Sequence, residues 1–332
     1  MGVPKIAIRR KDSSTKQIVS YEDLRIMASY RVDEYDILII EASGGRGLAK
    51  WLEANGYRVP MSAWRVLQSY IKQGMYFFVA KVNLAEQERL GFVNLRPIQV
   101  AYESPKFMLP IRLGMVNAQG EQEMFVYTLT RAGRVEVTNY RTLRMPTDLD
   151  IPEFVRPDFP GFYRQLFTRF RDREGNDAVF LEYAWTIVPN QPSCDPCTAP
   201  YLRPEELRTL GAFWIALDTP DPGSATLTRL HLRYDAEHFP EDLTFQITSD
   251  RANWQARYVI HHAYNGTEEC PQMAEYHRSL WNRRREEAKN YCALTGEEMD
   301  AVRQKMGVTQ NWSKPVETAA WWEKIWGAGD RK

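Results

Sequence analysis

The stretch from Ser69 to Asn117 places the strongest constraint on how this chain folds. Met75 to Val82 is an almost uninterrupted apolar run, which is typical of a strand buried on both faces. From Phe107 to Met115, large apolar residues occupy every second position, the period of a strand with one face on a core. Pro105 interrupts the connection between the two runs. The stretch therefore predicts the centre of a sheet, and it contains no recognisable catalytic motif.

Further alternating runs predict that most strands are antiparallel. Apolar residues alternate within residues 230–234, 243–247 and 254–260, and no helical pattern separates these runs. Successive strands with short connections form antiparallel sheets. Met124 to Thr130 and Arg134 to Tyr140 predict a β-hairpin. The predicted fold is α+β, with mainly antiparallel sheets, peripheral helices and a helical C-terminal extension.

Composition along the chain predicts three parts. Residues 146–160 resemble a linker because they contain four prolines, and charged helical sequence begins near residue 266. We predict an N-terminal α+β domain at 1–145, a mainly antiparallel β domain with one amphipathic helix at 146–265, and a helical extension at 266–332. The apolar stripe of that amphipathic helix predicts burial in a core rather than contact with a membrane or RNA: Phe159, Phe162, Tyr163, Leu166, Phe167 and Phe170.

Charge and hydropathy argue against a nucleic-acid partner, a transmembrane segment and a signal peptide. The 43 basic and 43 acidic residues give a formal net charge of zero, which argues against a nucleic-acid partner. No apolar run approaches the roughly 18 residues that span a bilayer, so no transmembrane segment is predicted. The first residues lack the apolar middle of a signal peptide.

Several short sequence motifs are shared with a known protein family. They are YIKQGM at 70–75, LRP at 95–97, AYESPKFMLPIRLGM at 101–115, CDPC at 194–197, HFPED at 238–242 and RYV at 257–259. Because of these motifs, the chain resembles the bacterial domain-of-unknown-function family DUF2330, from about Tyr30 to about Met306. The resemblance implies an exported, periplasmic or extracellular protein, because members usually carry a signal peptide. It implies no activity and no catalytic residues.

The four cysteines leave several chemistries open. Cys194 and Cys197 have the Cys-x-x-Cys spacing of redox and metal sites, but they lie in a proline-rich loop. If the segment from Cys270 to Cys292 is one straight helix, its ends are on the order of 30 Å apart. A disulfide needs Cα atoms about 4.4–6.8 Å apart, so these two cysteines pair only if that helix is broken. We favour structural disulfides over inert thiols, a metal site or redox catalysis.

Two further groups are candidate sites. Histidine and carboxylate side chains gather in one strand and loop as candidate metal ligands: His231, Asp235, His238, Glu241 and Asp242. Solvated charges in an acidic loop are the favoured alternative. Near the C-terminus, one predicted helix face and its neighbour are candidates for contact with a partner or a membrane interface: Ala319, Trp321, Trp322 and Trp326.

The absence of a clustered acid–base or phosphate-binding pattern leads to a functional hypothesis. We expect a non-catalytic binding or structural module, extracytoplasmic or at a membrane surface, with a protein partner or membrane-bound complex as an accessory subunit. No cofactor is predicted. The alternative is a thiol redox or metal-dependent enzyme that uses Cys194 and Cys197.

Overall fold

The structure, a computed structural model, describes residues 19–308 except for 22, 61, 92, 190–201, 265 and 267–269. Its strands are β1 (Val19–Tyr21), β2 (Leu24–Val32), β3 (Tyr35–Ala42), β4 (Phe77–Val82), β5 (Met108–Leu109), β6 (Gln122–Thr130), β7 (Val135–Val137), β8 (Arg141–Arg144), β9 (Leu149–Ile151), β10 (Ala178–Ile187), β11 (Ala225–Tyr234), β12 (Leu243–Ile247), β13 (Trp254–Gln255) and β14 (Tyr258–Ile260). Its α-helices are α1 (Gly45–Ala54), α2 (Ala63–Lys72), α3 (Leu84–Leu90), α4 (Arg112–Val116), α5 (Phe159–Arg173), α6 (Pro204–Thr209), α7 (Pro271–Thr295) and α8 (Met299–Lys305). A 3-10 helix spans Glu153–Asp158. The predicted α+β class is confirmed, since most strand pairs are antiparallel.

Two compact units make up the chain, and each combines two stretches of sequence. The first unit is Met1–Gln122 with Asp235–Phe245, and the second is Glu123–Tyr234 with Gln246–Lys332. The proline-rich residues 146–160 lie within the second unit, where they contribute β9, the 3-10 helix and the start of α5. The predicted three-part division of the sequence stays a prediction.

In the first unit, β3 rather than β4 lies inside the sheet. The strand order is β1-β2-β3-β4 and every pair is antiparallel. Ile37 and Ile39 pack on one face of β3, while Ile40 packs with Leu48 of α1 and Leu67 of α2 on the other. The prediction that residues 75–82 form a central strand buried on both faces is therefore wrong, because β4 is an edge strand with a half-buried pattern.

The predicted strand from Phe107 to Met115 is also wrong. Only Met108–Leu109 forms a strand, which pairs with β12, and α4 begins at Arg112. Pro110 has no N–H to donate to a ladder. The next two backbone N–H groups, those of Ile111 and Arg112, donate to the side chain of Asp242 instead.

In the second unit, one sheet has the strand order β13-β10-β11-β6, and β8 adds to it by pairing in parallel with β10. The predicted hairpin is wrong, because β6 neighbours β11 while β7 belongs to another sheet. Residues 254–260 form two strands instead of one: β13 pairs with β10, and β14 pairs in parallel with β9.

Helices complete the core of the second unit. Phe162, Leu166 and Phe167 of α5 are buried, which confirms that this amphipathic helix packs into a core. Ala288 and Tyr291 of α7 belong to the same buried cluster. Helices α7 and α8 confirm helical structure in the described part of the C-terminal region, and both contribute to the second unit's core. Among the helices described, none has the length and apolar content needed to cross a membrane.

Candidate binding face of the second unit

Side chains from β6, β10 and β11 converge on one face of the second unit's sheet. Tyr183 of β10 lies directly opposite Arg229 of β11 in the antiparallel register. The Arg229 guanidinium carbon lies 4.6 Å from the ring centroid of Phe125 and 5.6 Å from that of Tyr127, both on β6. Because side chains alternate between the two faces of a strand, these residues share one face.

Helix α5 covers one end of this face at His231, which is only 2% exposed. The imidazole ring stacks between Phe125, at 4.1 Å between ring centroids, and Phe167, at 3.7 Å. Its Nδ1 lies 2.6 Å from Oε1 of Glu182, and its Nε2 lies 3.0 Å from Oε1 of Glu123. Each ring nitrogen therefore faces a carboxylate oxygen.

The buried carboxylate of Glu182 joins three side chains. Its Oε1 accepts a hydrogen bond from the Tyr163 hydroxyl and also faces His231. Its Oε2 lies 2.9 Å from Nε of Arg229. A buried carboxylate requires paired oxygens, and these partners meet that requirement. Glu182 thereby holds the Arg229 guanidinium in place over the ring of Phe125.

Burial and neighbouring charges set the protonation states in this cluster. Burial, followed by the negative charge of Glu182, raises the pKa of Tyr163, which therefore remains a hydrogen-bond donor at neutral pH. At Glu123, burial alone would raise the pKa. The hydrogen bond and charge of His231, with smaller effects of Arg233, outweigh burial and lower the pKa of Glu123. Glu123 therefore stays ionised and paired.

Beyond the part that α5 covers, the face is open to solvent. Tyr127 is 60% exposed, and Phe125 is also exposed. Tyr183 and Trp185 are half-buried and stack with their ring centroids 5.9 Å apart. We refer to Phe125, Tyr127, Tyr183, Trp185 and Arg229 as the aromatic face.

The aromatic face suits binding better than acid–base chemistry. Within the described residues, the Nη atoms of Arg229 have no hydrogen-bond acceptor, so they are available to a ligand. A guanidinium donates two parallel hydrogen bonds to a carboxylate. His231 is enclosed on both ring faces and engaged at both nitrogens, so it presents no free nitrogen to a substrate.

The candidate metal ligands occupy different surroundings. His231 belongs to the cluster described above. Asp235 and His238 lie with Glu121, which was not predicted, and one ligand atom from each is within 4.8 Å of the others. Burial works against ionisation of Asp235, but hydrogen bonds from the His238 backbone and ring outweigh burial and lower the pKa of Asp235. A metal site at these residues stays a prediction.

Asp242 connects elements of the first unit, while its neighbour Glu241 is exposed. Oδ1 of Asp242 accepts hydrogen bonds from the Tyr70 hydroxyl at 2.7 Å and from the N–H groups of Ile111 at 3.0 Å and Arg112 at 3.2 Å. Oδ2 accepts two more from the Arg112 guanidinium, at 3.0 and 2.8 Å. Protein donors therefore occupy both oxygens, which gives Asp242 a structural role that the metal prediction did not include.

The cysteine prediction is tested only at Cys270 and Cys292, which are free thiols. They lie at the N-cap and near the end of α7, a continuous helix of 25 residues, so the break that a disulfide between them requires is absent. Burial raises the pKa of Cys292. Six residues with predicted roles lie outside the described part of the chain, and the predictions for them stay predictions: Cys194, Cys197, Ala319, Trp321, Trp322 and Trp326.

Sequence reasoning missed the aromatic face, although part of its signal is present. In β6, exposed Glu123, Phe125 and Tyr127 alternate with more buried residues, which places aromatic rings on an outward face. Large aromatic side chains on the solvent side of a strand are unusual enough to suggest a binding surface. The residues of the aromatic face on β10 and β11 lie beside those of β6 only because strands from distant parts of the sequence pair, which a local pattern does not predict.

Comparisons with known proteins identify a family and no activity. Residues 4–246 match a family described as an uncharacterized protein conserved in bacteria, DUF2330. The match begins earlier than the expected Tyr30 and ends before the expected Met306. The RYV motif at 257–259 and helices α7 and α8 therefore lie outside the matched region. Neither a curated protein nor a solved structure matches the chain.

Proposed function

This chain belongs to the bacterial family DUF2330, and we propose that it is a non-catalytic module that binds a protein partner through the aromatic face. The observation that carries the proposal is the setting of Arg229. Its Nε forms an ion pair with buried Glu182, its guanidinium carbon lies over two exposed rings, and its Nη atoms have no acceptor among the described residues.

Arg229 is held in place before any partner arrives. A partner usually loses affinity to the ordering of long side chains, at about 0.5–1.5 kcal/mol for each one immobilised. The pairing with Glu182 and the stacking on Phe125 restrict the guanidinium already in the free protein. Arginine and aromatic residues are also enriched among the residues that dominate protein interfaces.

The chemistry of the face specifies the partner. The Nη donors of Arg229 fit a carboxylate, and the rings of Tyr127 and Trp185 fit apolar side chains on either side of it. The partner is therefore a protein segment with an aspartate, glutamate or terminal carboxylate beside aliphatic or aromatic residues. A nucleic acid fits less well, because phosphate backbones are bound by several cations, whereas neighbouring Arg233 is already paired with Glu123.

Peptide display on the full-length chain tests this proposal. Random peptides are selected on the immobilised protein, and affinities of the enriched sequences are measured by fluorescence polarisation. We expect enrichment of acidic residues next to apolar ones, and at least about tenfold weaker binding to the Tyr127→Ser and Arg229→Gln variants. Tyr102→Ser is the matched control, because Tyr102 is 57% exposed and belongs to the other unit.

Two results would contradict the proposal. One is enrichment of peptides with no acidic preference. The other is an equal affinity of the selected peptides for the wild type, Tyr127→Ser and Tyr102→Ser. Circular dichroism confirms that each variant is folded before its affinity is compared.

An extracytoplasmic or membrane-surface location, with a role as an accessory subunit, is part of the same proposal. Its support is the resemblance to a family whose members usually carry a signal peptide. Fractionation of native cells with an antibody against the chain tests it. Recovery in the periplasmic or membrane fraction is expected, and recovery only with cytoplasmic markers would contradict it.

A further inference from the structure

A cavity of ≈ 240 Å³ lies in the second unit, away from the residues of the aromatic face. The 3-10 helix, α7, the end of α8 and the residues after β14 line it. At about 30 Å³ per water it holds on the order of eight waters, or one organic molecule of comparable size. Its lining combines apolar Phe154, Leu280 and Met306 with several charged side chains.

Glu287 gives the cavity a buried carboxylate that accepts no hydrogen bond from the described residues. Glu287 is 4% exposed, and its one ion pair within the described residues places its Oε1 3.4 Å from Nε of Arg283. Burial raises the pKa of Glu287, although the charges of Arg283, His261 and Arg284 oppose the effect. A buried carboxylate that lacks hydrogen bonds loses free energy that a ligand donor would restore.

Two arginines give the same cavity uncommitted donors. Nε of Arg283 forms the ion pair with Glu287 but makes no hydrogen bond, and the guanidinium donates none within the described residues. Arg284, the next residue, is exposed and has no acceptor among the described residues. Other charged groups of the lining are already paired: Lys305 donates to Glu297. Among the described residues, the cavity therefore places a buried carboxylate that accepts no hydrogen bond beside two guanidinium groups that donate none.

We propose that this cavity binds a small zwitterion, an α-amino acid with an apolar side chain. The ligand ammonium group donates to Glu287, and the ligand carboxylate accepts from Arg283 and Arg284. Its side chain packs against Phe154, Leu280 and Met306. A ligand with only one charged group leaves either the buried carboxylate or the guanidinium groups unsatisfied.

Isothermal titration calorimetry of the full-length chain with three matched probes tests the ligand class. The probes are L-leucine, isopentylamine, which lacks the carboxylate, and 4-methylpentanoate, which lacks the amine. We expect saturable binding of L-leucine and at least about tenfold weaker binding of each analogue, because each removes a charge-assisted hydrogen bond. L-methionine and L-phenylalanine extend the test to other apolar side chains.

Variants on α7 locate the site. Glu287→Gln and Arg284→Ala should each weaken leucine binding at least about tenfold, whereas the exposed neighbours Glu286→Gln and Arg285→Ala should leave it unchanged. Arg284 is exposed, so its variant keeps the test decisive if Glu287→Gln does not fold. The inference is overturned if none of the three amino acids binds at up to about 10 mM, if an analogue binds as tightly as leucine, or if Arg284→Ala and Arg285→Ala bind alike.

Discussion

Replacing Asp242 tests how the first unit is stabilised. Its carboxylate accepts hydrogen bonds from the Tyr70 hydroxyl, from the backbone N–H groups of Ile111 and Arg112, and from the Arg112 guanidinium. One buried side chain thus connects α2, the start of α4 and the segment before β12. Burial, followed by the hydrogen bond to Asp242, raises the pKa of Tyr70, so the phenol remains a donor at neutral pH.

The size of the effect follows from the burial and the number of donors. Removing one partner of a buried ion pair costs about 3–5 kcal/mol, because the other charge is left without compensation. We therefore expect Asp242→Ala to lower the free energy of unfolding of the first unit by about 3–5 kcal/mol. Asp242→Asn keeps the side-chain shape but removes the charge, and we expect a loss of about 1.5–3 kcal/mol. These are large fractions of a typical stability of about 5–15 kcal/mol.

Hydrogen exchange of β3 peptides, measured by mass spectrometry across a urea series, reports on the first unit by itself. Asp36→Asn is the control, because its ion pair with Arg31 at 2.8 Å is exposed and solvent screens it. A cycle that combines Asp242→Asn with Tyr70→Phe should be non-additive by about 0.5–3 kcal/mol. The reasoning is refuted if Asp242→Ala costs no more than Asp36→Asn, or if the cycle is additive.

Three further predictions concern pH, packing and thiols. Hydrogen bonds from Arg96 lower the pKa of Glu34 to about 2 from 4.5. This pair therefore stabilises the folded first unit fully above about pH 4.5, and its contribution is lost as the pH falls toward 2. The difference in urea midpoint between the wild type and Glu34→Gln should shrink over that range, and a constant difference would contradict this. Gly133→Ala should lower the free energy of unfolding by about 1–3 kcal/mol, because an added Cβ would meet the carbonyl oxygen of Thr248. Thermal melting measures the change, and an unchanged melting temperature would count against the packing described. Iodoacetamide should label exposed Cys270 faster than Cys292, whose pKa burial raises, and a Cys270–Cys292 bridge in the unreduced protein would be inconsistent with an intact α7.

Local patterns indicate helices such as α2 and α5, whereas α4 lies where a strand was predicted. In α2, the apolar stripe that includes Leu67 and Tyr70 is buried, and the chain leaves the helix at Gly74, whose φ of 71° suits glycine. Such features depend on residues within a few positions of one another. The place of β4 at an edge depends on which strands pair beside it, and an apolar run does not encode that choice. The strand expected after Phe107 failed because Asp242, far along the chain, takes the N–H groups that a strand would use.

The candidate sites were harder to predict, since each assembles distant residues. His231 was singled out for metal binding, but its neighbours in the structure are Glu182 and Glu123, 49 and 108 positions away. Nothing near His231 in sequence indicates that two aromatic rings enclose it. Glu287 and Arg284 were part of a charged helical segment, and only the packing of α7 shows that one is buried and the other exposed.

A double-mutant cycle across the interface tests the central claim most directly. A peptide selected on the wild type is titrated against the wild type and Arg229→Gln, with its acidic residue intact or replaced by the corresponding amide. If Arg229 binds that carboxylate, the two changes should be coupled by about 1.5–3 kcal/mol, the contribution of a hydrogen bond to a charged group. Additive effects of the two changes would mean that the aromatic face is not the binding surface.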